Sequence, residues 1–241
     1  MPASDWIVEG TRSPYIWYYN DAFDDDILDI ATSVGTEGEH EYSSTIQNGN
    51  MIEEDGYLKT EVNNPGKNGY SRLVHTTPMV MQSHQALIRV EFKVQTWNTL
   101  SDIALGFSFE RTVGKTAYRG DLSLWIDYNI AKLYYRTSRS SNATTVDLGY
   151  IYLKPEDQIV MQMKYNEGIV DVKMNHQGLV QIEHTQDVGR TYEDSPVYGM
   201  LGGRGSGDVT EIWVNKYQEI VGKAWNEQSR AVGDWTVVRP I

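Results

Sequence analysis

Hydrophobic residues recur at every second position over long stretches of this chain. Between residues 86 and 96, Ile88, Val90, Phe92 and Val94 share one phase, and Arg89, Glu91, Lys93 and Gln95 take the other. Between 102 and 110, Ile103, Leu105, Phe107 and Phe109 alternate with Ala104, Gly106 and Ser108. Between 158 and 166, Ile159, Met161, Met163 and Tyr165 alternate with Gln158, Gln162 and Lys164. A period of two is that of an extended strand with one buried face. Parallel sheets bury both faces and read as unbroken apolar runs, so the alternation predicts antiparallel sheets packed as a sandwich.

Short segments rich in Val, Ile, Tyr, Phe and Trp, bounded by Gly, Asn, Asp or Pro, extend that prediction. They give strands at 45–47, 57–62, 71–76, 86–96, 102–110, 122–127, 132–136, 146–152, 158–166, 169–175, 179–185, 197–202 and 209–221. Asn166-Glu167-Gly168 and Asn175-His176-Gln177-Gly178 join three of them into a meander over 158–185. Glu53-Glu54-Asp55-Gly56 and Asn63-Asn64-Pro65-Gly66 read as further tight turns. The best helical window, Asp21–Ala31, allows two turns at most. The glycine-rich run Gly199–Gly207 holds no Gly-Lys-Ser/Thr and no following helix, so it is not a phosphate loop. It reads as a strand end and a loop, with Arg204 as its cation.

Composition narrows the function classes. The chain has 241 residues, 40% hydrophobic and 22% charged, which is globular. Acidic residues outnumber basic ones, 33 to 21, for a net charge of −12. Nucleic-acid backbones need a basic surface, so no nucleic-acid partner is expected. There is no cysteine, which excludes a disulfide framework, a thiol nucleophile and a Cys-ligated zinc. No apolar run nears the roughly 18 residues of a membrane span, and the N-terminus lacks the basic and apolar regions of a signal peptide.

The ends differ from the middle. Residues 1–43 read as an N-terminal arm carrying Trp6 and Trp17, and residues 222–241 as a C-terminal arm carrying Trp225 and Trp235. Exposed indoles are an aggregation liability, so these four are candidates for packing on the sandwich or on another subunit.

An ordered series of segments within 44–221 carries a family resemblance. Glu54-Asp55-Gly56-Tyr57-Leu58-Lys59 opens it. Ala86–Val94 and Leu105-Gly106-Phe107-Ser108-Phe109 follow. The late hairpin Asp157–Gly178 and the closing pair Val197–Leu201 and Val209–Val214 complete it. In this order the segments resemble the concanavalin A-like lectin/glucanase superfamily in its laminin-G-like form. The resemblance implies an all-β jelly-roll sandwich of two curved antiparallel sheets, here with extended terminal arms. It also implies a concave face that in many relatives meets a glycan. Such folds host lectins, glycosidases, lyases, adhesion modules and virion proteins, so the fold alone does not choose.

The chemistry is then a matter of residues. A retaining glycosidase needs two carboxylates about 5–5.5 Å apart. The family's glucanases use a Glu-x-Asp-x-x-Glu run, which this chain lacks. Glu91 stands between Arg89 and Lys93, and Glu110, Asp127, Asp171 and Glu183 are single carboxylates on different strands. A lyase set could recruit Arg89, Gln162, His184 and Tyr165, but Tyr165 falls on the opposite phase from Gln162. Asp24, Asp25, Asp26 and Asp29 could ligate calcium, a hard cation that favours carboxylates, although they lack the order of a calcium loop. No other cofactor is expected.

The polar phase of the middle strands is the best binding candidate. Trp125 and Asp127 share a phase opposite Leu122, Leu124 and Ile126, and Tyr134 and Arg136 share one on the next strand. An aromatic ring on a wet sheet face, flanked by Asp and Arg, suits a sugar. The expected function is a non-catalytic structural or attachment protein, such as a decoration, fibre or tail component of a phage or virus particle. Its expected partners are other copies or subunits and a cell-surface glycan, in a virion or extracellular setting. The alternatives are a carbohydrate-binding module of a bacterial protein and, further off, a glycoside hydrolase or polysaccharide lyase.

Overall fold

A computed structural model describes residues 15–21, 23, 32–33, 42–47, 49–62, 68–75, 84–97, 101–109, 120–137, 141–193, 197–206 and 210–223. Every regular element among them is a strand. In chain order these are β1 (Tyr15–Asp21), β2 (Thr32–Ser33), β3 (Tyr42–Gln47), β4 (Gly49–Glu54), β5 (Tyr57–Val62), β6 (Asn68–His75), β7 (His84–Thr96) and β8 (Asp102–Ser108). They continue as β9 (Leu122–Asp127), β10 (Ile130–Tyr135), β11 (Thr144–Tyr150), β12 (Gln158–Asn166), β13 (Ile169–His176), β14 (Leu179–Asp187), β15 (Tyr198–Ser206) and β16 (Thr210–Lys223).

The strands form two antiparallel sheets. One has nine strands in the order β14-β13-β12-β7-β16-β1-β2, with β5 also paired to β16 and β4 to β5. The other has seven, β11-β10-β9-β8-β15-β6-β3. Alternating residues of both sheets meet in one core: Ile88, Val90, Phe92, Met161, Met163 and Tyr165 from the first, and Leu105, Phe107, Leu122, Leu124, Ile126 and Leu133 from the second. This is the sandwich that the period-two pattern predicts, and the phases assigned at 86–96, 102–110 and 158–166 hold.

The predicted meander is present as β12, β13 and β14. Both of its turns carry positive φ on two successive residues, Glu167-Gly168 at 48° and 86° and Gln177-Gly178 at 52° and 79°. Asp55-Gly56 closes β4 onto β5 in the same way. The mirror-image turn matches the twist of paired strands, which is why an X-Gly dipeptide marks it.

Three features go beyond the sequence reading. β1 lies within the segment read as an N-terminal arm, yet it pairs with β16 from Tyr15↔Gly222 to Asp21↔Tyr217. Trp17 pairs in register with Val221 there. The glycine-rich run is not a loop: Tyr198–Ser206 is β15, hydrogen-bonded to β8 and to β6. Gly199 suits this central strand because Glu219 of the opposing sheet fills the space its side chain would need. Trp6, Trp225, Trp235, Asp24, Asp25, Asp26, Asp29, Glu110 and Asn63–Gly66 lie outside the described residues.

Candidate functional site

The β9–β10 register sets Trp125 opposite Lys132 and Ser123 opposite Tyr134. Trp125 and Asp127 point away from the inter-sheet core, as their phase predicts. That face, however, is not wet. Trp125 is 4% exposed and packs with Ala104, Met200, Tyr134 and Tyr198 in a second apolar cluster. Lys132 Nζ lies 5.2 Å from the indole centroid. Tyr134 meets the same ring edge-on at 6.5 Å. Asp127 Oδ2 accepts a hydrogen bond from Lys132 Nζ at 2.7 Å. Arg136 leaves this group: its Nε pairs with Asp121 Oδ1 at 3.2 Å and its Nη1 donates to the Ser141 carbonyl at 2.7 Å. The structure thus joins Trp125, Asp127 and Tyr134, separates Arg136, and corrects the expectation of an open indole. Small Ala104 on β8 leaves room that the indole itself occupies.

The exposed aromatic surface lies one strand further out. Tyr150 and Tyr152 are 64% and 70% exposed. Ile151 and Leu153 between and beside them are buried, so alternation turns the tyrosines outward. The Ile151 amide donates to the Asn129 carbonyl at 2.8 Å and holds this segment against the β9–β10 turn. The two phenol rings are nearly parallel, 7° apart with centroids 6.1 Å apart, and present faces of one orientation. Tyr128, 39% exposed with φ of 61°, forms the adjoining turn, and Trp97 Nε1 donates to its carbonyl at 3.1 Å.

The sequence reading placed a strand over 146–152 but assigned it no face. A bulge explains why the faces were not legible. The β10–β11 register runs Ala131↔Gly149 and then Lys132↔Asp147, skipping Leu148. One extra residue inverts the alternation. Val146 and Leu148 therefore pack toward the core on even numbers, and Ile151 and Leu153 do so on odd ones. Gly149, at φ of 145°, sits at the inversion.

Beyond Leu153 the chain crosses from the seven-stranded to the nine-stranded sheet and is pinned by Asp157. This buried carboxylate accepts from His176 Nε2 at 2.8 Å, Gln177 Nε2 at 2.9 Å and the Lys154 amide at 3.0 Å. Burial pushes its pKa up, but the Gln177, His176 and Lys154 hydrogen bonds outweigh that and hold it below the ordinary aspartate value. The tyrosine segment is thereby locked to the β13–β14 turn.

No protein-family model and no curated protein sequence matches the chain. Solved structures do. The carbohydrate recognition domain of Emp47p superposes with a TM-score of 0.60 at 11% identity, over 88% of this chain and 96% of that one. The exoplasmic/lumenal domain of VIP36, in a form bound to Ca2+ and Man3GlcNAc, gives 0.56 at 11% identity, over 83% and 92%. The lectin UEA-II, complexed with galactose, gives 0.58 at 10% identity, over 85% and 98%. The fold is that of the concanavalin A-like lectins.

Within this lectin-like sandwich the carboxylates are dispersed. Among the described residues no group of three or more His, Asp or Glu is placed to hold a metal ion. No described helix is long and apolar enough to cross a membrane. Glu91 is ion-paired to Arg89 at 2.6 Å, whereas Lys93 turns to Glu156 at 2.5 Å. Tyr165 is fully buried on the core side, so it does not join Gln162.

Proposed function

We propose that the chain is a non-catalytic glycan-binding protein that grips sugar on Tyr150 and Tyr152. One observation carries the reading: two large aromatic rings, nearly parallel and mostly exposed, stand at the end of the edge strand β11 beside polar groups. A soluble domain rarely leaves such rings uncovered without use. The apolar C–H face of a sugar stacks on an aromatic ring, and its hydroxyls take hydrogen bonds at the rim. The neighbouring Asn129 and the exposed Asp147 supply such groups. VIP36 and UEA-II, solved with Man3GlcNAc and galactose, hold sugars on the same type of sandwich. Attachment of a larger particle to a glycan-coated surface is the finer form of this proposal. Light scattering on the full chain and on chains lacking residues 1–14 or 224–241 tests its assembly part.

A hydrolase reading meets one partial match. Asp102 and Asp127 face each other across β8 and β9, as paired carboxylates should. Both are buried, 2% and 6% exposed, and Lys132 neutralises Asp127. A substrate has no approach to them, which favours binding over cleavage.

A glycan array tests the proposal. The full chain is expected to give hits that Tyr150→Ala and Tyr152→Ala each weaken at least about tenfold, the loss typical of a stacking anchor. Substitutions at such exposed positions change stability by about 0.5 kcal/mol or less, so lost binding would not reflect unfolding. Hits unaffected by both substitutions would place the sugar elsewhere.

A further inference from the structure

The outer face of the β10–β11 edge carries an uneven charge beside the tyrosine pair. Val146 and Leu148 pack toward the core, so Asp147 between them points outward, to the face that Tyr150 takes after the bulge. On β10, Ile130 and Lys132 lie on that same face, with the buried Ala131 between them. Tyr150 pairs with Ile130 and Asp147 with Lys132. Those two partners are same-face neighbours, about 7 Å apart along an extended strand. The Asp147 carboxylate is therefore the outward neighbour of Tyr150 on β11. Three charges meet here, two negative and one positive. Lys132 Nζ donates to Asp127 Oδ2 at 2.7 Å and lies over the Trp125 ring. It stays 3.9 Å from Asp147 Oδ1, beyond a hydrogen bond. Asp127 is buried, whereas the Asp147 side chain is 68% exposed, so the surplus negative charge is the one that a ligand reaches. Lys154 follows Tyr152 by two residues, past buried Leu153, so the charge along the segment runs from negative at the Tyr150 end to positive beyond Tyr152.

From this juxtaposition of a surplus carboxylate and an exposed phenol we infer that the surface selects saccharides carrying a free, protonated amino group, held at the Tyr150 end by Asp147. The inference rests on the glycan-binding reading and deepens it. An ammonium is attracted both to the face of an aromatic ring and to a carboxylate. A hydroxyl or an acetamido group in the same place still hydrogen-bonds to Asp147 but carries no net charge for either to attract. The chain already joins these chemistries one strand inward, where the Lys132 ammonium lies over Trp125 and against Asp127. At an exposed site each of the two attractions tightens binding about twofold to fivefold. The carboxylate part weakens as salt screens it.

Titration calorimetry on the full chain, in low salt at about pH 5.5, where the carboxylate is ionised, compares the β-1,4 trimers of glucosamine, N-acetylglucosamine and glucose. The glucosamine trimer is expected to bind at least about fivefold tighter than either neutral trimer. Asp147→Asn should weaken the glucosamine trimer at least about twofold and the neutral trimers less. A chain of net charge −12 attracts any polycation, so a distant carboxylate serves as control. Glu183→Gln removes the same charge from an exposed position on β14, in the other sheet, and should leave all three affinities unchanged. Tyr152→Ala should weaken every trimer that binds. Binding of all three with equal affinity and dependence on Tyr152, or tighter binding of a neutral trimer, would overturn the amine selection and leave the glycan reading standing. An amine preference that survives Asp147→Asn, or falls as far in Glu183→Gln, would overturn the assignment to Asp147. Binding of none, or binding that Tyr152→Ala leaves intact, would overturn both readings.

Discussion

The carboxyl of Glu219 fills the space that a side chain on Gly199 would need. A Cβ at Gly199 would stand 1.7 Å from Glu219 Oε1 and 2.2 Å from its Cδ. Glu219 is on β16 and Gly199 on β15, so the contact joins the two sheets across the core. Gly199→Ala should destabilise the fold by about 1–3 kcal/mol through overpacking. In a Glu219→Ala background the same change should cost less than its single-variant value, because the clashing atoms are gone. Urea denaturation of the four proteins measures this; simple additivity would show that the contact does not limit β15.

Glu219 also couples stability to pH. It is fully buried, and burial pushes its pKa up to about 8, with the Tyr217 hydroxyl bond partly opposing that. The folded chain keeps a proton that the unfolded chain releases near the ordinary carboxylate range. The stabilisation is complete below that range and declines as pH rises toward 8, after which this group adds no further slope. Thermal melts between pH 4 and 9 should show Tm falling across that window, with each kcal/mol worth about 2–4 °C. Glu219→Gln should flatten the profile. An unchanged slope in that variant would assign the dependence to other groups.

Asp157 has the opposite sign. Its folded pKa is depressed, so its contribution is present above the ordinary aspartate value and is lost as pH falls through the folded one. Asp157→Ala strands the His176, Gln177 and Lys154 donors and should cost about 1–3 kcal/mol at neutral pH. Asp157→Asn should remove part of the loss of Tm seen in wild type between pH 4 and 2. Melts of the three proteins over that range check both statements.

The fold was legible because its signal is local. The alternation in β7, β8 and β12 and the X-Gly dipeptides of the meander each need only a few consecutive residues to read. β1 was not legible, since Tyr15–Asp21 opens on five aromatic or aliphatic residues with no alternation and its identity as a strand depends on a partner about two hundred residues away. β15 was misread because the reasons for its glycines lie on other strands: Glu219 on β16 for Gly199, and β8 and β6 for its ladders. At the binding surface the phase of Trp125 was correct and its exposure was not, because periodicity shows which side a ring takes and not what covers it. Tyr150 and Tyr152 stayed hidden behind the bulge at Leu148 and Gly149, a feature set by pairing with β10.

Trp125 gives the sharpest contrast between the two aromatic sites. Its indole is 4% exposed, with Lys132 over one face, Tyr134 at its edge, and Ala104 and Met200 beside it. A sugar cannot stack on a ring already covered, so Trp125 should act through packing. Trp125→Ala is expected to cost about 3–5 kcal/mol, the usual result of emptying a large aromatic site. Trp125→Phe keeps most of the volume, should lose less, and should remain folded at room temperature. In that variant the circular dichroism spectrum should stay β-rich and glycan-array hits should match wild type, whereas Tyr152→Ala should show the reverse: full stability and weakened hits. A folded Trp125→Phe protein that loses its glycan hits would move the sugar contact from the β11 edge back to the outer face of the seven-stranded sheet.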